Sequence, residues 1–309
     1  MVKVLIIGGS GHVSGAMTRE CLKHNFEVTI VTRGLRPMPA GVTALQIDRK
    51  DPEAMRCGFA ACRESYDAVI DCICFEPAQM ALMLELFRER TAQLLFISTD
   101  FVFDSERRSF PQPDDAPMLT DDRGGYQGYG WAKRQCEQLL LAEPEAGLNW
   151  TTFRPCHIYG APSQLGCFPT HCRDTELLNR LKRGETLTLV DGGHFLQQPL
   201  EVNDLARGVV SAIGNPAAKR QFFSMAGLDI VESWQYYQMI ADYLKVELKV
   251  RSTPLAEHLM LNPGERPFCC HRVYRFDHHR AANLVVPSTP LAAGLQAHAQ
   301  WLLDQAAAR

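Results

Sequence analysis

The chain opens with a short apolar run, Val4-Leu5-Ile6-Ile7. It passes without a spacer into Gly8-Gly9-Ser10-Gly11-His12-Val13-Ser14-Gly15 and then into a helical pattern. A strand, a glycine turn and a helix in immediate succession constrain the fold more than any other feature. Glycine lets the backbone turn that sharply, and the turn's N–H groups then face outward at the positive end of a helix dipole. The alternation continues. Strand-like runs over 2–7, 26–31, 43–47, 68–73, 93–98 and 149–153 are interleaved with helical patterns over 12–24, 77–90 and 126–142. Continuous apolar strands alternating with helices predict a doubly wound parallel sheet covered on both faces.

After Arg154-Pro155 the pattern loosens into a helix over 175–183, a strand over 186–190, a helix over 202–213, a strand over 221–225 and further short elements over 231–244 and 246–250. Residues 1–160, with a return segment 196–226, are expected to form one domain, and 161–195 with 227–309 a smaller α/β lobe. The stretch 262–267, rich in proline, glycine and charge, reads as a flexible connection. Thirty-two basic against 35 acidic residues give a net charge of −3. No basic field therefore argues for a nucleic-acid or anionic-membrane partner. No apolar run is long enough to span a bilayer or to serve as a signal peptide, so a cytoplasmic protein is expected. Eleven cysteines, an odd number in a chain of 309 residues, read as free thiols. Cys167 and Cys172 have His157 and His171 nearby, but no compact pair-of-pairs spacing supports a metal, and none is expected.

The glycine turn in this context suits a pyrophosphate, with Gly8, Ser10, Gly11, His12 and Val13 as its backbone cradle. The second strand ends Val31-Thr32-Arg33-Gly34. An acidic residue there would hold the ribose 2′-OH of NAD. Arg33, with Arg36 close behind, instead suits the 2′-phosphate of NADP, unless Arg33 is a solvated loop charge. NAD stays the alternative cofactor. Asp48 follows the third strand and reads either as an adenine-side contact or as a turn-forming aspartate.

The strand over 93–98 ends in Ser98-Thr99-Asp100-Phe101-Val102-Phe103, and Tyr129-Gly130-Trp131-Ala132-Lys133 follows thirty residues after Thr99. Tyrosine and lysine four apart share one helix face. Together with the glycine turn, Arg154-Pro155-Cys156-His157-Ile158-Tyr159-Gly160, Gln198-Pro199-Leu200-Glu201-Val202-Asn203-Asp204-Leu205-Ala206 and Tyr274-Arg275-Phe276-Asp277, the order resembles the extended short-chain dehydrogenase/reductase family. That group includes nucleotide-sugar epimerases, dehydratases and reductases. The resemblance implies a Rossmann fold, a nicotinamide cofactor, a sugar-like substrate, Tyr129 as acid/base, Thr99 on the reacting oxygen and Lys133 on both the tyrosine and the nicotinamide ribose. Two-helix dimer faces are frequent in the family. Met80, Leu84 and Phe87 could serve such a homodimer or lie in the core.

The chemistry is independently reasonable. A phenol with pKa ~10 is a poor base at neutral pH, and an adjacent ammonium and a cationic nicotinamide favour its phenolate. Departures from the family narrow the reaction. The third family glycine falls at Ser14, with Gly15 one residue later. The Thr-Asp-Glu of sugar-nucleotide dehydratases is Thr99-Asp100-Phe101 here, which removes a carboxylate base. Asp100 is a second acid or a turn cap. Asp191-Gly192-Gly193 lacks the arginine that usually follows to bind a diphosphate, leaving only Gln197 and Gln198. Arg173 and Arg272 are the candidate anion contacts if they are not merely solvated. The sequence is consistent with net reduction or with epimerisation. It is also consistent with a non-catalytic dinucleotide sensor or RNA-associated protein of the same fold, since chloroplast RNA-binding relatives share the loose glycine turn and an arginine after the second strand.

Overall fold

The computed structural model describes residues 1–62, 64–107, 109–122, 126, 128–263 and 275–308. Arg272 and Tyr274, and most of the stretch expected to be a flexible connection, lie outside the described residues.

The first half runs β1 (Lys3–Ile7), α1 (His12–Lys23), β2 (Glu27–Thr32), β3 (Thr43–Gln46), α2 (Pro52–Ala61), β4 (Ala68–Asp71), α3 (Pro77–Phe87), β5 (Leu94–Ile97), α4 (Tyr129–Leu141) and β6 (Trp150–Pro155). The remainder adds β7 (Ile158–Tyr159), α5 (Leu177–Lys182), β8 (Thr186–Val190), β9 (Leu196–Gln197), β10 (Leu200–Glu201), α6 (Val202–Val210), β11 (Gln221–Met225), β12 (Val231–Glu232), α7 (Ser233–Leu244), β13 (Lys249–Thr253), α8 (Leu255–Leu261), α9 (Asp277–Ala281) and α10 (Leu291–Ala307).

Seven strands form one parallel sheet in the order β11-β6-β5-β4-β1-β2-β3. The reversal of strand order beside β1 opens a crevice at the carboxyl ends of the strands, where ligands of such sheets bind. Every residue of β4, β5 and β6 is buried. This is why these strands carry no polar alternation. One face packs under α1 and α6 through Met17, Leu205 and Val209, the other under α2, α3 and α4 through Phe59, Met83 and Leu140. A third cluster, centred on Leu189, Tyr236, Tyr237 and Leu295, belongs to the later elements.

Met80, Leu84 and Phe87 all lie in the core beneath α3, so they are not available as a dimer face. α2 has no counterpart in the sequence reading. Its inward stripe is only Met55 and Phe59, with Gly58 between them, too short to declare a period. Its start is nonetheless well built. Asp51 accepts from the N–H groups of Glu53 and Ala54, both at 3.0 Å, and Pro52 occupies the first turn. β13 lies three residues later than expected, pairing in parallel with β8. No helix among the described residues is long and apolar enough to cross a membrane.

Candidate active site

The glycine turn is held where β1 and β2 are joined, by a bond from Gly8 N–H to the Val31 carbonyl at 2.9 Å. Gly8 and Gly9 adopt φ of 115° and 103°, and a Cβ on Gly9 would sit 2.5 Å from the Ile30 side chain. Alanine at Gly9 is therefore excluded by conformation and by space. Ser14 takes over from the missing third glycine. Its hydroxyl accepts from Gly11 N–H at 3.0 Å and satisfies a donor at the start of α1. The first turn of α1 carries no acidic residue. The N–H groups there and the close approach of the backbone suit the phosphates of a dinucleotide.

A cavity of about 260 Å³ runs from Gly8, Ser10 and Gly11 past Thr32 to Arg33, Arg36 and Asp48. Arg33 and Arg36 are exposed. Arg36 Nη1 lies 3.2 Å from where a Gly11 Cβ would stand, close to the turn itself. Asp48 is the turn-forming aspartate, one of its two expected roles. Its carboxylate accepts from Lys50 N–H at 2.9 Å, closing a turn, and it lines the cavity.

A larger cavity of about 890 Å³ starts at Gly11, His12 and Val13 and continues to Thr99, Asp100, Tyr129 and Lys133. The residues expected to hold the cofactor or to act in catalysis thus line these two adjoining cavities. Thr99 stands two residues beyond the end of β5 and accepts from Phe101 N–H at 3.3 Å. Asp100 is buried, with Oδ1 3.5 Å from the Thr99 hydroxyl. Tyr129 is the first residue of α4 and stands beside the Phe75 and Phe101 rings, with centroids 6.3 and 6.1 Å away. Lys133, one turn on, is buried. Its Nζ donates to the Ile97 carbonyl at 2.7 Å and lies 4.8 Å from the Phe96 ring, 4.9 Å from Phe75 and 5.8 Å from Tyr129. A carbonyl dipole and ring faces thus stabilise the ammonium next to the phenol.

Three features escaped the sequence reading. Behind the site, Glu137 is fully buried and bound by Arg154 through two bonds of 2.9 Å and by the Ser98 hydroxyl at 2.7 Å. Glu137 is four residues beyond Lys133 on the same helix face, a spacing that could have flagged it. Secondly, Phe101, Tyr126 and Phe168 form an aromatic wall, with centroids 5.2–5.7 Å apart. Thirdly, the glutamines that follow the Asp191 turn are committed internally. Gln197 donates to Phe168 O at 2.7 Å and Ser233 Oγ at 2.8 Å, and Gln198 to Gly227 O at 2.9 Å. Asp191 itself caps α8 through Leu255 N–H at 3.0 Å. Cys167 is buried against the Tyr237 hydroxyl at 3.5 Å, and burial raises its thiol pKa to about 12. Among the described residues no group of three or more histidine, cysteine or acidic side chains stands together as metal ligands.

Two cavity histidines are held neutral. Burial first, and then the Arg173 charge, lower His157 to about 3 and His12 to about 4 from an ordinary 6.5. Between those values and 6.5 the unfolded chain binds more protons than the native one. The stability that these rings contribute is complete above pH 6.5 and falls as pH drops towards 5. A histidine kept neutral at pH 5 costs about 2 kcal/mol. Chemical unfolding midpoints should therefore decrease from pH 7.5 to pH 5, and a flat profile would contradict this burial.

The sequence profile of the NAD dependent epimerase/dehydratase family matches residues 4–225. Chloroplast stem-loop binding protein of 41 kDa b from Arabidopsis thaliana is 26% identical over 300 residues, covering 91% of this chain and 72% of that protein. 2′-Dehydrokanamycin reductase from Streptomyces kanamyceticus is 36% identical over 85 residues, 27% of this chain and 24% of that protein. The structure of UDP-glucose 4-epimerase with UDP-glucose from Thermotoga maritima superposes with a TM-score of 0.79 at 16% identity, over 99% of this chain and 100% of that one. The likeness establishes the shared fold.

Proposed function

The chain belongs to the NAD dependent epimerase/dehydratase family, and from that premise we propose an NADP(H)-dependent oxidoreductase or epimerase acting at a sugar-like alcohol or carbonyl. The observation that carries this reading is the continuity of the larger cavity, from the glycine turn to Thr99, Tyr129 and Lys133. Residues 1–160 with 196–226 would form the dinucleotide half, and 161–195 with 227–309 the substrate lobe.

When bound, the nicotinamide gives or accepts a hydride. The Tyr129 hydroxyl moves the accompanying proton at the substrate oxygen. The Thr99 hydroxyl orients that oxygen. Lys133 stabilises the phenolate through space and holds the nicotinamide ribose. Asp100, next to Thr99, is a second acid at the same oxygen. The aromatic wall of Phe101, Tyr126 and Phe168 offers a flat apolar face to a sugar ring. No arginine follows Asp191-Gly192-Gly193, and the amide N–H groups of both glutamines are engaged. A substrate without a nucleotide diphosphate fits best.

NADP is favoured over NAD by Arg33 at the end of β2. Losing a charged hydrogen bond to the 2′-phosphate costs about 1.5–3 kcal/mol. Arg33→Ala should weaken NADPH about tenfold or more and leave NADH nearly unchanged. Equal losses for the two cofactors would remove the 2′-phosphate assignment.

A second reading, a dinucleotide protein that binds nucleic-acid stem-loops, is favoured by the match across 91% of the chain to the Arabidopsis protein of that name. Incubation with NADPH and a panel of keto sugars separates the readings. Stoichiometric NADPH consumption marks a reductase. Interconversion of epimers without net consumption marks an epimerase. Salt-dependent stem-loop affinity with no turnover would replace both with the second reading.

A further inference from the structure

The loop between β7 and α5 brings Arg173, a candidate anion contact that the proposed reaction does not use, to the larger cavity. A Cβ on Gly166 would stand 1.7 Å from the His171 carbonyl oxygen, so the loop folds closely on itself. Asp174 N–H donates to the Leu165 carbonyl at 2.8 Å and ties its two ends together. Arg173 sits in this closure at φ 54° and lines the cavity together with Gly11, His12, Val13 and His157. The neighbouring acid does not neutralise it. The Asp174 carboxylate is taken by His171 at 3.1 Å and Arg180 at 3.5 Å. Among the described residues Arg173 makes no hydrogen bond or ion pair. Nor do the other cavity residues balance it, since among the described residues that line it Asp100, beside Thr99, is the one carboxylate, against Arg36, Lys133 and Arg173. His12 Nε2 is buried without a hydrogen-bond partner among the described residues. Arg173 is exposed, and a guanidinium at the cavity wall with no partner among the described residues, beside two neutral imidazoles, suits an anion that presents several oxygens.

We propose that Arg173 binds a phosphoryl group in this cavity, either the phosphate bridge of the cofactor or a phosphate carried by the substrate. The proposal rests on the reading that the cavity holds a dinucleotide. It is separate from Arg33, which serves the adenosine end.

Calorimetric titration of wild type, Arg173→Gln and Arg173→Lys tests it with three probes. ADP-ribose carries the bridge, 2′-AMP lacks it, and glucose 1-phosphate is added to protein saturated with NADPH. If the cofactor is the source, Arg173→Gln should bind ADP-ribose about 10- to 100-fold more weakly and 2′-AMP unchanged. Arg173→Lys should recover part of the loss, because it keeps the charge without the fork. If the substrate is the source, ADP-ribose affinity stays and glucose 1-phosphate affinity falls by a similar factor. Unchanged affinity of Arg173→Gln for all three probes overturns the proposal and leaves the dinucleotide reading standing. Wild type that binds neither NADPH nor ADP-ribose overturns both.

Discussion

Tyr129→Phe should lower turnover by about 10²–10⁴-fold, the usual contribution of a positioned acid–base group. The substitution removes one oxygen and keeps the ring beside Phe75 and Phe101, so the wall of the cavity survives. NADPH affinity should stay within a few-fold, because the hydroxyl meets the reacting oxygen rather than the phosphates. Lys133→Met should behave differently and damage both turnover and cofactor binding. It removes a buried ammonium that spans the Tyr129 ring and the Ile97 carbonyl. Steady-state rates and fluorescence titration of NADPH separate the two patterns. A phenylalanine variant that keeps most of its activity on a confirmed substrate would remove Tyr129 from the mechanism.

The second large effect is on stability. Glu137→Gln leaves the Arg154 guanidinium fully buried without its counter-charge, and breaking such a pair typically costs 3–5 kcal/mol. The Ser98 hydroxyl, one residue before Thr99, keeps a partner atom, but the charge-assisted character of its bond is lost. Chemical denaturation should show the midpoint falling steeply. The double variant Glu137→Leu, Arg154→Met should recover much of the loss, since a buried pair is worth little against apolar replacements of similar volume. A loss below about 1 kcal/mol for Glu137→Gln would mean that the pair is not desolvated as described.

Much of this architecture is legible in the sequence because it is written locally. The glycine turn, the apolar strands and the Tyr129–Lys133 spacing each depend on neighbours within one or two turns, and Thr99 follows from its position at a strand end. The parts that are not legible depend on distant partners. Glu137 is an ordinary helical glutamate until β6 brings Arg154 beneath it. Phe101, Tyr126 and Phe168 come from three separate segments and form a wall only when folded. Gln197 and Gln198 resemble ligand contacts in the sequence, yet their amides hold Phe168, Ser233 and Gly227. α10 is the longest helix among the described residues, but its inward stripe of Leu291, Gly294, Leu295, His298 and Ala299 mixes small and polar residues. Such a stripe gives a weak hydrophobic period. Met80, Leu84 and Phe87 show the converse problem, because an apolar helix face reads the same whether it meets a sheet or a second subunit.

Hydride transfer is the central claim, and isotope transfer from the cofactor measures it directly. Wild-type protein is mixed with NADPH deuterated at C4 and a panel of keto sugars, and the products are analysed by mass spectrometry after a single turnover. Deuterium should appear on the carbinol carbon formed from the carbonyl, whether the full reaction is a reduction or an epimerisation. The same transfer should be about 10²–10⁴-fold slower in Tyr129→Phe. Wild type that binds NADPH yet leaves the deuterium on the nicotinamide with every member of the panel would contradict the account.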